Sequence, residues 1–173
     1  KQELESLGYH VFSNIYNTSD FHLPQTRNRL VIFATKDDVD EKWMQESYTS
    51  CNVKATFDKV YKNQSTSYYS TVNAVLSANV DKKYFLSEKI KPTILADGSA
   101  NFKSKSDINM SIARPLTATM SKMHRACQDN YYSQDFIESN GKINHVYDYT
   151  KEQLAKLDIR RLTPEEAFML QGF

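Results

Sequence analysis

The hydrophobic pattern near the start of the chain predicts a short helix followed by two strands. Leu4 and Leu7 lie three positions apart and precede Gly8, which is typical of a helix that ends at a glycine. Residues 9–16 then alternate between two faces, as a strand does, and residues 30–34 are continuously apolar. A continuous apolar run indicates a strand that a larger body covers on both faces. We therefore expect a strand pair at the edge of another domain's sheet.

The pattern changes at residues 35–38, where charged residues begin and a long region rich in Ser, Thr, Asn and Tyr follows. We place a domain boundary there. Within the middle region, apolar residues at 72, 75 and 76 have helical spacing, whereas residues 82–90 and 92–96 favour short strands. The expected result is a smaller, mostly β body with short helices.

Two capping boxes predict short helices near the end of the chain. Thr150 is followed three positions later by Gln153. Thr163 is followed in the same way by Glu166, with Pro164 at the first helical position. Both helices are therefore expected to have well-defined starts.

Composition limits the class of protein. A length of 173 residues with 40% hydrophobic content is enough for one substantial core and a small second unit. No stretch reaches the apolar length of a membrane span or of a signal-peptide core. Cys51 and Cys127 are far apart, which fits a reducing compartment better than a disulfide framework. We expect a soluble cytoplasmic protein, and the absence of an initiating Met indicates part of a longer polypeptide.

Three polar side chains lie just before the apolar run at residues 30–34. Alternation would put Gln25, Arg27 and Arg29 on one face of the approaching strand. Guanidinium groups make directed, charge-assisted hydrogen bonds, which suit phosphate oxygens or a base carbonyl. A solvated turn with two surface arginines is the alternative interpretation.

A second candidate region is residues 101–132, where five basic residues stand against two acidic ones. The net charge of the whole chain is only +1, so a phosphate-binding surface would have to be local. The surrounding Ser, Thr, Asn and Gln side chains are of the kind that reach base edges and phosphates. A polar loop at a strand edge is the alternative. The basic residues are Lys103, Lys105, Arg114, Lys122 and Arg125.

Two segments together resemble the bacterial-type cytosine-5 DNA methyltransferase family. Residues 8–29, with Pro-Gln-x-Arg-x-Arg at 24–29, are similar to the family's seventh and eighth motifs. Residues 160–173, with Arg-Arg-Leu-Thr-Pro at 160–164 and Leu-Gln-Gly-Phe at 170–173, are similar to the ninth. The family places its variable target recognition domain between those motifs.

The resemblance implies a mixed α/β fold with three parts. Residues 1–37 would be the end of the catalytic methyltransferase domain, with two end strands of its sheet. Residues 38–158 would be a smaller, mostly β target recognition domain with short helices, in which residues 113–132 resemble a block found in many bacterial members. Residues 159–173 would be the ninth-motif helix, truncated before the final motif.

The implied activity of the parent protein is transfer of a methyl group from S-adenosylmethionine to carbon 5 of cytosine in double-stranded DNA, as part of a restriction-modification system. The family's chemistry needs a Pro-Cys nucleophile, a Glu-Asn motif and a glycine-rich cofactor site, and none occurs here. Cys127 follows Ala126 instead of a proline, and His124 with Cys127 has no second ligand pair for a metal. We expect this chain alone to be inactive, with no cofactor or metal site.

The resemblance also assigns residue roles. Arg29 would contact the carbonyl oxygen of a cytosine flipped out of the duplex, with Gln25 and Arg27 in support. Arg161 would tie the ninth motif to the recognition domain and contribute to DNA binding. A tRNA cytosine methyltransferase of the same superfamily and a non-catalytic DNA-binding module are the alternatives. The residues specify neither the target sequence nor the oligomeric state.

Overall fold

The computed structural model describes residues 1–61, 70–98, 101 and 103–173, and these form two compact units. The described residues of the first unit are 1–22 and 27–61. The second unit contains residues 23–26 and the described residues from 70 to 173. The short segment 23–26 therefore belongs to the second unit, although its neighbours on both sides belong to the first.

The described residues of the first unit form a strand hairpin and three helices. Its antiparallel strands pair in a continuous register from His10 with Thr35 to Asn17 with Asn28. Gly8 has a φ of +82° after the first helix, a conformation that glycine adopts without a Cβ penalty, so the predicted helix end is confirmed. The elements are α1 (Gln2–Ser6), β1 (His10–Asn17), a 3-10 turn (Thr18–Phe21), β2 (Asn28–Thr35), α2 (Glu41–Ser47) and α3 (Ser50–Tyr61).

The apolar strand β2 is present, but its side chains are not covered on both faces. Leu30 and Phe33 are 62% and 40% exposed, with Val31 and Ile32 between these values. Within this chain both faces of the strand are therefore open in part, and its cover by a larger body stays a prediction. The helices α2 and α3 pack against β1, and the ring of Tyr48 stacks on Phe33 with centroids 5.9 Å apart. Both helices thus belong to the hairpin's unit, although they follow the boundary predicted at residues 35–38.

The second unit is built mainly from turns and short helices. In the described part of this unit, the sheet consists of β3 (Tyr131–Ser133) paired antiparallel with β4 (Ile159–Arg161). The expectation of a mostly β body is therefore wrong there. The other elements are 3-10 turns at Val72–Ala74 and Lys82–Tyr84, and helices α4 (Lys91–Leu95), α5 (Gln134–Glu138), α6 (Lys151–Leu154) and α7 (Pro164–Met169).

The strands predicted at residues 82–90 and 92–96 are wrong. The first range begins as a 3-10 turn, in which the Asp81 carboxylate accepts a hydrogen bond from the Lys83 backbone N–H at 2.9 Å. The second range is mostly helix α4, with Pro92 in its first turn. The proline ring holds φ near the helical value and its missing N–H costs nothing in a first turn, so proline favours this helix start.

Two apolar clusters form the core of the second unit, and β3 serves both. Tyr132 packs with Val72, Phe136 and Leu170 in one cluster, whereas Tyr131 belongs to the other. Successive side chains of a strand point to opposite faces, which explains how adjacent tyrosines reach different clusters. The second cluster also contains Leu86, Ile94, Leu95, Ile108, Leu154 and Ile159.

Both predicted capping boxes are confirmed. The Thr150 hydroxyl accepts from the Gln153 backbone N–H, and the Gln153 side chain accepts from the Thr150 N–H in return. Thr163 and Glu166 make the same reciprocal pair at α7, with Pro164 in its first turn.

Among the described residues, no helix combines the length and apolarity that crossing a membrane would require.

Candidate nucleic-acid interface

Gln25 does not belong to the strand that carries Arg29. The strand β2 begins at Asn28, and residues 26 and 27 before it have no strand conformation, so the predicted alternation does not extend back to Gln25. Gln25 is 1% exposed and forms an isolated parallel bridge with Ala113. The Ala113 N–H donates to Pro24 O, and the Thr26 N–H donates to Ala113 O, both at 2.8 Å. Gln25 thus lies beside the predicted recognition block within the second unit.

Arg27 and Arg29 belong to the hairpin of the first unit. The Arg27 side chain is half-buried, and its backbone N–H donates to Asn17 Oδ1 at 3.3 Å. Arg29 is exposed, lies opposite Tyr16 in the register, and donates from Nη1 to Asn28 O at 3.0 Å. Asn17, which sequence reasoning did not single out, also caps the 3-10 turn through the Ser19 N–H at 3.1 Å. The Arg29 guanidinium is therefore presented on the surface, while Arg27 lies at the closing end of the hairpin.

Two of the five basic residues in the predicted DNA-binding region are bound to Asp107. Arg114 Nη1 donates to Asp107 O at 2.8 Å, and Nη2 lies 3.7 Å from Asp107 Oδ2. Lys105 Nζ lies 3.2 Å from Asp107 Oδ1. The Arg114 side chain is only 17% exposed, whereas that of Lys105 is 71% exposed. Arg114 is therefore mainly engaged in contacts within the second unit. The exposed Lys105 ammonium group is accessible to an anion in solution.

The structure brings Arg161 together with the segment that carries Lys122 and Arg125. Arg161 Nη1 donates to Ser121 O at 3.3 Å, and its guanidinium lies 5.8 Å from the centre of the Tyr84 ring. Lys122 is exposed, as is Lys103, and the half-buried Arg125 donates from Nη1 to Gln128 Oε1 at 3.1 Å. The positive groups of residues 122, 125 and 161 thus belong to one contiguous part of the second unit.

A groove of about 360 Å³ adjoins this part of the surface. Its walls include the apolar side chains of Met120, Leu162 and Phe168. Arg161 and the Tyr84 ring also line it. Aromatic rings and guanidinium planes stack on flat π systems such as nucleobases, and a cation beside them attracts phosphate. The groove therefore combines apolar walls with an aromatic ring and a guanidinium group.

His124 is held in its neutral form on the same surface. Burial lowers the pKa of the His124 imidazole, the Arg161 guanidinium lowers it further, and Asp129 acts in the opposite direction. Its Nδ1 lies 3.5 Å from the Tyr131 hydroxyl, whose own pKa burial raises. The lowered pKa favours the neutral imidazole, whose Nδ1 lies within reach of the Tyr131 hydroxyl.

Replacing Arg161 with Ala is expected to raise the pKa of His124 part of the way towards its ordinary value. The change removes a nearby positive charge, while the burial that is the larger cause remains. An NMR titration of the histidine ring protons measures the shift. Lys156→Ala removes an exposed cation elsewhere in the second unit and serves as the control. An unchanged pKa in the Arg161→Ala protein would show that this guanidinium does not act on His124.

A buried ion pair that sequence reasoning missed joins β4 to α7. Arg160 Nη1 and Nη2 donate to Glu166 Oε2 and Oε1 at 2.8 and 2.7 Å, and Arg160 Nη2 also donates to Ser77 O at 2.8 Å. The Ser77 and Thr163 backbone N–H groups each donate to a Glu166 oxygen at 2.8 Å. Arg160 therefore provides a buried connection between residues 160–166 and residue 77. Arg161 contacts Ser121 at the surface, and its role as a tie to the recognition domain stays a prediction.

The described residues contain no group of three or more His, Cys, Asp or Glu side chains arranged to hold a metal ion. Cys127 has a φ of +66°, and its thiol donates to Ser104 O at 3.2 Å. The thiol therefore fastens its loop to a neighbouring segment.

Comparisons with known proteins place these observations in a family. The chain is 50% identical over 38 residues to Type II methylase M.HgiDII of Herpetosiphon aurantiacus, an alignment that covers 22% of this chain and 11% of that protein. Its fold is similar to that of Entamoeba histolytica methyltransferase EhMeth, with a TM-score of 0.61 and 16% identity over 99% of this chain and 44% of that one. S. pombe Dnmt2 methyltransferase has a TM-score of 0.68 and 14% identity, over 99% of this chain and 48% of the other.

This chain spans a little under half of the length of each of these two solved methyltransferases. The profile of one family matches the chain from its first residue to its last, residues 1–173. The chain belongs to the C-5 cytosine-specific DNA methylase family.

Proposed function

We propose that this chain is the target-recognising part of a cytosine-5 DNA methyltransferase that modifies double-stranded DNA. Residues 1–37 complete the catalytic domain, residues 38–158 recognise the target, and residues 159–173 form the ninth-motif helix. The observation that carries the proposal is the contact of Arg161 with Ser121, which brings Arg161 to the segment that bears Lys122 and Arg125, in a chain that belongs to this family. Local positive charge is what phosphate binding needs when the net charge is only +1.

The contacts of the basic residues divide them into two classes. Lys103, Lys105 and Lys122 are exposed and meet phosphates, which positions the DNA without reading its sequence. Arg125 is the better candidate for bidentate recognition of guanine, since its Gln128 contact is at the surface and exchangeable. Arg114 reads a base only if its guanidinium leaves Asp107, so its first role is to hold the recognition block in shape.

The catalytic step uses residues of the segment 24–29. The complete enzyme extrudes the target cytosine from the duplex and transfers a methyl group to its carbon 5. Arg29, exposed on β2, donates hydrogen bonds to the carbonyl oxygen of the extruded base. Arg27 and Gln25 support it, Arg27 at the closing end of the hairpin and Gln25 through its bridge to Ala113.

The residues of this chain do not fit S-adenosylmethionine. A glycine-rich turn lets a backbone approach a nucleotide-type cofactor closely, but the four glycines here are scattered at positions 8, 98, 141 and 172. We therefore assign the cofactor and the thiolate nucleophile to other parts of the enzyme, and this chain alone is inactive. The Type II methylase relative supports a role in restriction-modification.

Exchange of the recognition region is the test of this proposal. Transplanting residues 70–149 of a related methyltransferase with a different target into the complete enzyme should transfer the relative's target sequence. Bisulfite sequencing of plasmid DNA reports the outcome. Exchange of the α1 residues 2–6, which lie outside the proposed recognition region, is the matched control and should leave the target unchanged.

Three outcomes would contradict the proposal. An active 70–149 chimaera that still methylates the original site would place target recognition outside that region. Methylation of tRNA and not of plasmid DNA, detected by bisulfite sequencing of both, would favour the alternative of a tRNA cytosine methyltransferase. A complete reading frame without a Pro-Cys segment would instead indicate a DNA-binding module that has lost catalysis.

A further inference from the structure

The ends of the loop at residues 115–128 are held together by one side chain. The Asn130 amide bonds to the backbone of Arg114 on both sides, with Oδ1 accepting from the Arg114 N–H at 2.8 Å and Nδ2 donating to Arg114 O at 3.1 Å. This pair of hydrogen bonds imitates the exchange between two paired strand residues. Asn130 is 5% exposed, so water does not compete freely for these bonds. The two ends of the loop are therefore held next to each other, where the chain leaves the core and returns to it.

A second side chain, Asp129, connects the two limbs of the same loop from inside. Its Oδ1 accepts from the Thr117 hydroxyl at 2.9 Å, and its Oδ2 accepts from the Arg125 backbone N–H at 3.0 Å. Thr117 lies near the start of the loop and Arg125 near its end. Asp129 is 6% exposed, and a buried carboxylate is tolerated only when hydrogen-bond donors surround it. One carboxylate thus fixes the spacing between the two limbs.

The Asp129 carboxylate determines where the outward side chains of the loop are presented. Lys122 lies between the two limbs, and Arg125 carries one of the backbone groups that Asp129 holds. Arg161 reaches the same stretch through Ser121 O. A loop that is ordered before binding loses less conformational entropy when it binds, so the same contacts yield more affinity.

We propose that Asp129 and Asn130 are positioning residues that hold residues 115–128 as a preformed DNA-reading loop. This inference rests on the proposed function and adds to it the hydrogen bonds that hold the loop in the conformation needed for sequence preference. The loop carries the base-reading contact of Arg125, whereas the lysines outside the Asp129 network contribute affinity for any sequence. Preference for the target is therefore sensitive to Asp129, although Asp129 itself does not contact DNA.

The variant Asp129→Asn in this chain is the first test. Asn keeps the shape but removes the negative charge and replaces one acceptor oxygen with an NH₂ group. If the NH₂ group faces the Arg125 N–H, two donors meet; if it faces Thr117, the hydroxyl has to turn from donor to acceptor and both hydrogen bonds lose the assistance of the charge. Binding is measured by fluorescence anisotropy with two duplexes of equal composition, one containing the target mapped by bisulfite sequencing and one with its order scrambled. We expect the preference for the target duplex to fall roughly tenfold, the scale of one lost hydrogen bond to a charged group.

The salt dependence separates loop positioning from general damage. The slope of affinity against salt concentration reports how many phosphates are neutralised, and Asp129→Asn removes no cation. Lys103 and Lys105 lie outside the loop, so we expect the slope for the scrambled duplex to fall by no more than the one phosphate contact of Lys122, together with the reduced preference. Asp148→Asn, an exposed aspartate of the same unit, is the matched control and should change neither quantity.

The outcomes distinguish this inference from the proposed function. A wild-type chain that binds both duplexes equally would contradict target recognition itself. A wild-type preference that Asp129→Asn retains in full would overturn the positioning role alone. If circular dichroism shows that Asp129→Asn is unfolded, Thr117→Val, which removes one donor and keeps the carboxylate, decides instead. Full preference in Thr117→Val would then overturn the inference, and a partial loss would support it.

Discussion

Replacing Glu166 with Ala should destabilise the second unit by about 3–5 kcal/mol, the usual cost of leaving a buried charge without its partner. Arg160 and Glu166 side chains are 0% and 3% exposed, and two hydrogen bonds of 2.7 and 2.8 Å join them. The change also removes the acceptors of the Ser77 and Thr163 N–H groups. Since a domain of this size is stable by about 5–15 kcal/mol, a loss of this scale is a large share of the total.

Urea denaturation followed by circular dichroism measures the effect on the free energy of unfolding. Glu165→Ala changes the neighbouring glutamate of the same helical turn, which is exposed, and is the matched control. A double change of Arg160→Met and Glu166→Leu should be less destabilising than Glu166→Ala alone, because no charge is left buried. A Glu166→Ala protein within about 1 kcal/mol of the wild type, the size of one ordinary hydrogen bond, would contradict this account of the pair.

The second large effect is expected on catalysis. Replacing Arg29 with Ala in the complete methyltransferase should lower the rate of methyl transfer roughly 10- to 100-fold, because charge-assisted hydrogen bonds to the extruded cytosine are worth about 1.5–3 kcal/mol. DNA binding should weaken less, since most of the phosphate contacts remain. The thermal stability should not change much, because the guanidinium is exposed and donates to its neighbour Asn28 O.

Transfer of tritium-labelled methyl groups to a plasmid measures the rate, and anisotropy with a duplex measures binding. Lys42→Ala removes an exposed cation from α2 in the same unit and should leave both quantities unchanged. Near-normal turnover of the Arg29→Ala enzyme would refute the contact with the base. A loss of binding as large as the loss of rate would instead assign Arg29 to the DNA backbone.

Local signals in the sequence were sufficient for several elements. The end of α1 at Gly8, the strands β1 and β2, and the capped starts of α6 and α7 all follow from residues within a few positions of one another. Each of these signals acts through bonds inside one turn or one strand, so tertiary packing has little chance to override it. The family was also readable, because its motifs are short and contiguous.

Tertiary structure decided the conformation of short ambiguous segments and the contacts between residues that are separated in the sequence. Residues 92–95 read as a strand from their apolar pattern but form helix α4, because periodicity in so short a segment does not distinguish the two. Arg114 looked like a free cation until the fold placed Asp107 against it.

The same holds for the buried carboxylates. Nothing in the sequence shows that Asp129 joins Thr117 to Arg125, or that Glu166 pairs with Arg160 and also meets Ser77. A charged side chain is exposed by default, and only the packing around it determines whether it is buried with partners or left in water. The sequence therefore identified the family and the basic region, while the fold determined which of the charged residues hold the structure and which remain available to bind.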